Sequence, residues 1–175
     1  MSMAEQGAVL ALFEGHVHAD GEWRLALSPE PPDPAALEFA EQALRAIAMV
    51  EDLKPDAMGL AADPALRRLE AKLDLALLLL TRAVLPSGPG QRRRARIGVS
   101  GLWIEGIPAM AEAAALHWQP SEVLPLVVHL PVRFLGPEAG GGCWAFRGLA
   151  PGLSEALERQ VFRLHRRSRA SGRES

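Results

Sequence analysis

Asp63-Pro64-Ala65-Leu66-Arg67-Arg68-Leu69-Glu70-Ala71-Lys72-Leu73-Asp74-Leu75-Ala76-Leu77-Leu78-Leu79-Leu80 is the stretch on which the fold turns. Aspartate before proline starts a helix: the carboxylate caps backbone N–H groups, and proline, having no N–H, fits the first turn. From Pro64 to about Leu85, Leu66, Leu69, Leu73, Ala76, Leu80 and Ala83 recur at alternating intervals of three and four, the a/d repeat of a coiled coil. Leu75, Leu78 and Leu79 widen the stripe beyond one seam. A leucine surface that broad needs cover from more than one neighbour, which predicts self-association through those a/d positions.

Upstream, Asp33-Pro34 repeats the cap-and-proline start, and Leu37, Ala40, Leu44 and Ile47 lay one apolar stripe along a helix reaching about Leu53, where Lys54-Pro55 stops it. The two helices form a hairpin. Before them, Leu10–Leu27 alternates weakly and is broken at Asp20-Gly21, a two-residue turn signal that predicts two short strands. Downstream, Pro86-Ser87-Gly88-Pro89-Gly90 ends the helical part and precedes a basic cluster, Arg92, Arg93, Arg94 and Arg96. Strands are expected at 97–105, at 123–134, where Pro125 and Pro131 suggest an edge or a bulge, and at 143–149. Gly136–Gly142 reads as a flexible hairpin connection, and Leu153, Leu157, Val161 and Leu164 mark a last helix over 153–167. Arg163, Arg166 and Arg167 suit the negative end of its dipole.

Composition is that of a folded domain: 49% hydrophobic and 23% charged over 175 residues. Nineteen basic against 21 acidic residues leave a formal charge of -2, so no overall field draws the chain to nucleic acid or anionic lipid. With Cys143 as the lone cysteine there is no internal disulfide and no thiolate-rich zinc site, which fits a reducing cytoplasm. The start, Met1 to Gln6, does not read as a secretory signal, and Leu75–Leu80 is far too short to span a bilayer. The expected location is cytoplasmic.

Several segments in order resemble one bacterial family. They are Arg68-Leu69-Glu70-Ala71-Lys72-Leu73-Asp74-Leu75, Val99-Ser100-Gly101-Leu102, Leu126 to Pro131, Phe146-Arg147-Gly148-Leu149, and Leu157-Glu158-Arg159-Gln160-Val161-Phe162-Arg163. This arrangement is similar to the PilZ domains, and most closely to their atypical branch, in which a helical hairpin interrupts the barrel. The resemblance implies an α+β fold: an antiparallel β-barrel with an inserted long helical hairpin, a coiled coil, and a C-terminal helix. It also implies a role in cyclic di-GMP signalling. Typical members bind the dinucleotide with Arg-x-x-x-Arg and, about 20 residues later, Asp/Asn-x-Ser-x-x-Gly. Arg92 and Arg96 meet the first spacing and Ser100 stands for the motif serine, but Gly98 and Trp103 replace the acid or amide and the last glycine, and only three residues separate Arg96 from Ser100. That departure is a mark of the atypical branch.

Other chemistry is weakly supported. His16 and His18 would share a strand face without a recognisable third metal ligand, and His117, His129 and His165 are isolated in sequence. Ser100-Gly101 lacks the second glycine of a nucleophile elbow, since Leu102 stands there. Glu51 and Asp52, like Glu70 and Asp74, read as solvated faces or ion pairs. The arginine cluster reads either as a basic exposed linker or as a phosphate site; with no interleaved aromatic residue it is not a nucleic-acid surface. Trp103 and Trp144 read as barrel packing.

The expected organisation is N-terminal barrel strands over 8–33, the oligomerisation hairpin over 34–85, the rest of the barrel and the last helix over 91–167, and a disordered tail over 168–175. The expected function is a non-enzymatic signalling adaptor, a homo-oligomer with a tetramer favoured, acting on unidentified protein partners without cofactor, metal, nucleic acid or membrane insertion. The alternative is a working cyclic di-GMP receptor using Arg92, Arg96 and Ser100.

Overall fold

The computed structural model describes residues 12–52, 73, 90–107, 114–122 and 124–171. Its elements are β1 (His18–Ser28), α1 (Pro34–Asp52), β2 (Gln91–Gly98), β3 (Gly101–Glu105), β4 (Ala115–Gln119), β5 (Val128–Glu138), β6 (Gly141–Phe146) and α2 (Pro151–Ser171). The strands close into an antiparallel barrel in the order β1-β2-β3-β6-β5-β4. Alternation puts Leu25, Ala95, Ile97, Leu102, Ile104, Leu116, Trp118, Val128, Leu130 and Trp144 in the core, with both tryptophans fully buried.

The two helices close the rest of that core. Asp33 caps α1, its Oδ1 accepting from the Ala36 N–H at 2.7 Å. The expected stripe is the face that packs: Ala40, Leu44 and Ile47 are buried and Leu37 lies against the same cluster. From α2, Leu153, Ala156, Leu157 and Val161 join it. The His165 Nδ1–H donates to the His18 carbonyl at 2.6 Å, tying α2 to the start of β1. The helix begins two residues before and ends four residues after the expected 153–167.

Several sequence expectations need correction. Asp20-Gly21 is not a turn but lies inside an 11-residue strand, as its third and fourth residues. Long-range pairing overrides the local signal, because β1 pairs β2 from His18 to Leu25 and β4 from Arg24 to Ser28. Gly21 instead gives room to the Trp23 ring, since a Cβ there would stand 2.9 Å from it. The arginine cluster is not a linker: all four arginines lie within β2. The single strand expected over 97–105 is a hairpin of β2 and β3 that turns through Val99-Ser100. A Cβ on Gly101 would meet the Trp144 carbonyl at 2.2 Å, so only glycine lets β3 start there.

β5 runs from Val128 to Glu138 and sits between β4 and β6, not at an edge; its bulge falls between Phe134 and Gly136 and not at Pro131. The flexible connection expected over 136–142 is a two-residue turn with positive φ at Ala139 (44°) and Gly140 (79°), the backbone of a primed hairpin turn. β4, with Leu116 and Trp118 inward, stands where the sequence reading assigns no element. Of the predicted second helix only Leu73 is among the described residues, helical and 54% exposed; the other a/d positions, Leu66, Leu69, Ala76, Leu80 and Ala83, lie outside them.

Candidate functional site

The ribbon of β1 and β2 carries the charged face. Because strand side chains alternate, Ala95 and Ile97 point inward while Arg92, Arg94 and Arg96 point out to solvent, with Asp20, Glu22 and Arg24 outward on β1. The register sets Asp20 opposite Arg96, Glu22 opposite Arg94 and Arg24 opposite Arg92. The first two pairings match opposite charges; Arg96 Nε donates to Asp20 Oδ1 at 2.8 Å. The third sets two arginines opposite each other, a like-charge pairing that is unfavourable across a strand pair. Arg92 turns to Glu122. Arg24 has Gln119 as its partner on β4 and no carboxylate partner among the described residues.

Arg92 and Arg96, paired by spacing in the sequence, share a face but serve different places. Four residues of strand separate their Cα atoms by about 13 Å. Arg96 lines a recess of about 300 Å³ with Phe13, Arg94, Trp103, Glu105 and Glu138. Its guanidinium carbon lies 5.6 Å from the centre of the Phe13 ring. Trp103 is held by its Nε1–H donating to the Glu138 carbonyl at 2.8 Å. Ser100 sits in the β2–β3 turn, exposed, with its carbonyl accepting from the Phe146 N–H at 2.9 Å; it does not line the recess. Leu12 and Phe13 pack over β3 and β6 and bury Cys143 in a satellite cluster with Trp103. Burial and the Glu138 carboxylate, 3.4 Å from its sulfur, push the Cys143 thiol up to about 12. It is a packed, protonated thiol.

Arg92 belongs instead to a groove of about 620 Å³ at the other end of the ribbon. Its wall is β1 from Asp20 to Arg24, which pairs with β4 only from Arg24 onward, so the preceding edge faces the end of α2. Trp23 lines the groove with its ring edge-on to the buried Trp118, centroids 6.4 Å apart. Leu164 and Arg167 contribute from α2, and Gln119 to Glu122 from the loop after β4.

At the base of the groove Glu51 joins α1 to the rest of the fold. Its side chain is 1% exposed; it accepts from the Ser121 hydroxyl at 2.7 Å, and Arg167 Nη1 and Arg163 Nη1 lie 3.0 and 3.7 Å from its Oε2. Two separate segments, α2 and the loop after β4, converge on this one carboxylate of α1. The sequence reading, a solvated or paired acid, has the pairing but not the burial.

The histidines meet in pairs, His18 with His165 and His117 with His129. His18 Nδ1 donates to the His16 carbonyl at 3.1 Å, and its Nε2 is 3.9 Å from Asp20. His117 and His129 stack across β4 and β5 with centroids 4.2 Å apart. Burial lowers both below the ordinary histidine value; the neighbouring ring adds to this for His117, while Asp33 partly offsets it for His129. No group of three or more metal-ligating side chains occurs among the described residues.

A second feature escaped the sequence reading. On the side of α1 opposite its buried stripe, Ala35, Phe39, Gln42, Ala46 and Met49 follow each other at intervals of four and three, all exposed, with Phe39 at 48% and Met49 at 67%. The count that found the leucine repeat finds this seam too. Arg24, in contrast, is conspicuous only once register is known.

No curated protein matches this sequence. Among solved structures, the chain is similar to a pathogenic protein from Xanthomonas campestris, described as a tetrameric PilZ domain self-assembled via an unusual helical bundle. The two share 29% sequence identity over 97% of this chain and 99% of that one, with a TM-score of 0.74. Residues 44–174 match the family model for the atypical PilZ domain, cyclic di-GMP receptor. With the interrupted barrel in place and that match covering most of its length, this chain belongs to the atypical PilZ domain family.

Proposed function

We propose that the protein is a non-enzymatic, self-assembling platform in cyclic di-GMP signalling, acting through contacts with other proteins. The observation that carries this reading is the exposed seam on α1. Five positions at a/d spacing, including a half-exposed phenylalanine and a more exposed methionine, form a surface suited to another helix. The sequence repeat from Leu66 to Ala83 has the same a/d spacing and lies in the same insertion. The tetrameric relative built through a helical bundle supports copies of this chain meeting there, and a tetramer is the favoured assembly. Sedimentation of the intact protein is expected to give a tetramer that Leu69→Asp with Leu73→Asp dissociates. A monomeric wild-type protein excludes the platform.

A second reading, direct reception of cyclic di-GMP, is favoured by the receptor description of the family. Arg92, Arg96 and Ser100 are its sequence-derived residues. Their separation, and the engagement of Arg96 with Asp20 and Phe13, argue against one shared site. Calorimetry with cyclic di-GMP, expected to show heat that Arg96→Ala removes if these residues bind it, tests this directly.

A further inference from the structure

We propose that the open edge of β1 at residues 20–22 is a docking site for an extended protein segment with a basic–apolar–basic pattern, which adds to the sheet as a strand in the groove beside α2. This rests on the reading that the protein acts through contacts with other proteins and gives one surface for them; it does not depend on how the copies assemble.

Unequal strand lengths leave this edge open. β1 has eleven residues and β4 five, and β4 covers β1 only from Arg24 to Ser28. Along a strand the N–H and C=O of one residue point to one side and those of the next residue to the other. The Ser28 carbonyl accepts from the Ala114 N–H on the β4 side, and the His18 carbonyl accepts from His165 of α2. Asp20 and Glu22 share that parity, so their N–H and C=O groups point away from β2 and into the groove that both residues line. No backbone partner meets them there among the described residues. A row of unpaired backbone groups on a sheet edge is a template for another strand.

Charge and shape define the partner. Four carboxylates line the groove against three guanidinium groups, and two of the three, Arg92 and Arg167, are paired with Glu122 and Glu51. The third, Arg24, stands where β4 has already taken the edge. The open edge itself is acidic: its outward side chains are the exposed carboxylates of Asp20, which holds Arg96, and Glu22, which faces Arg94 in register without an ion pair among the described residues. A second copy is the wrong occupant, since two such edges side by side set acid against acid. A strand with Lys or Arg opposite Asp20 and Glu22 sets opposite charges together. Between those positions the added strand faces Gly21, and its side chain turns inward. There the half-buried Trp23 ring lies over Gly21, with Leu164 of α2 lining the same groove, a surface for one apolar side chain.

The test uses the full chain and a fluorescein-labelled peptide, Thr-Val-Lys-Val-Lys-Val-Thr, with two control peptides: one with glutamate at both lysine positions, the other with both lysine backbone nitrogens methylated. The expected result is a saturable rise in anisotropy with the lysine peptide, weakened at least about tenfold in either control and in Glu22→Lys, a variant checked for native circular dichroism. Hydrogen–deuterium exchange over residues 19–23 should slow when the lysine peptide binds. Binding that backbone methylation leaves intact would reduce the contact to side-chain charge and overturn strand addition, and a glutamate peptide that binds as well would overturn the basic pattern. Slowed exchange over α1 in place of residues 19–23 would move the contact to the exposed seam and overturn the edge site. So would exchange at 19–23 that slows with protein concentration alone, which would put a second copy on the edge. A tetramer that binds none of the peptides would remove the docking site and leave the assembled platform standing.

Discussion

The two ends of the β1–β2 ribbon are built from the same residue types and come out differently. At one end Asp20 answers Arg96, Phe13 covers the guanidinium, and the N-terminal segment packs on over Cys143. At the other end Arg24 meets Arg92, the partner strand β4 begins only at that position, and a groove opens. One end is electrostatically closed within the chain; the other keeps a surplus guanidinium next to a cavity. The contrast teaches that an arginine-rich strand carries no meaning by composition alone. What matters is which acid the register supplies to each arginine.

The largest expected effect lies at the open end. Glu51→Ala removes the α1 carboxylate on which α2 and the loop after β4 converge, and takes the acceptor from the Ser121 hydroxyl. Removing one member of a fully buried pair costs about 3–5 kcal/mol; here Arg167 is half exposed, so roughly 2–3 kcal/mol is expected. Thermal unfolding is then lowered by about 5–10 °C. Glu51→Gln, which keeps an acceptor for Ser121, should recover part of the loss. A variant as stable as wild type would mean that the groove has no structural keystone and that both ends are held by the barrel alone.

A smaller effect is expected at the closed end. Phe13→Ala strips the cover from Arg96 and Gly98 and loosens the cluster around Cys143. The ring is only half buried, so the loss is about 1–2 kcal/mol, below that of a core phenylalanine. The more specific readout is chemical. Cys143 is buried and its thiol stays protonated near neutrality, so it reacts slowly with thiol reagents in the native protein. Loosening its cover by 1–2 kcal/mol should raise that rate by about 5–30-fold. An unchanged rate would place the protection of Cys143 in β3 and β6 and remove the N-terminal segment from the comparison.

Local signals carried the helices and missed the ribbon. Asp33-Pro34 and the Leu37 stripe located α1 almost to the residue, because a cap and a period of 3.6 act within a few positions of each other. The apolar face of α2, with Leu153, Leu157 and Val161 buried, is legible for the same reason. Asp20-Gly21 misleads because its hairpin preference is weaker than continuous pairing of β1 along β2, where its partners Arg96 and Ala95 lie more than 70 residues away in sequence. Ala115–Gln119 went unassigned although Leu116 and Trp118 alternate with His117, since a five-residue strand offers too short a pattern. Of the candidate site, Arg92 and Arg96 were visible by spacing. Arg24 was not, because nothing in the sequence tells an arginine opposite an acid from one opposite another arginine.

That distinction also yields the smallest and most discriminating prediction. Arg24→Glu turns the one like-charge pairing of the ribbon into a matched one, beside Arg92 and across from the two pairs already matched. The substitution is exposed and disturbs no packing, so only electrostatics should respond: a gain of about 0.5–1 kcal/mol, or about 1–3 °C in the unfolding midpoint. The gain should shrink as salt is raised, since surface charges are screened over about 10 Å at 0.1 M. A stabilised Arg24→Glu protein means that the native residue is retained against stability, as binding sites commonly are. A neutral or destabilised one would mean that Glu122 already relieves the Arg24–Arg92 repulsion, and the two ends of the ribbon would then differ in shape but not in charge.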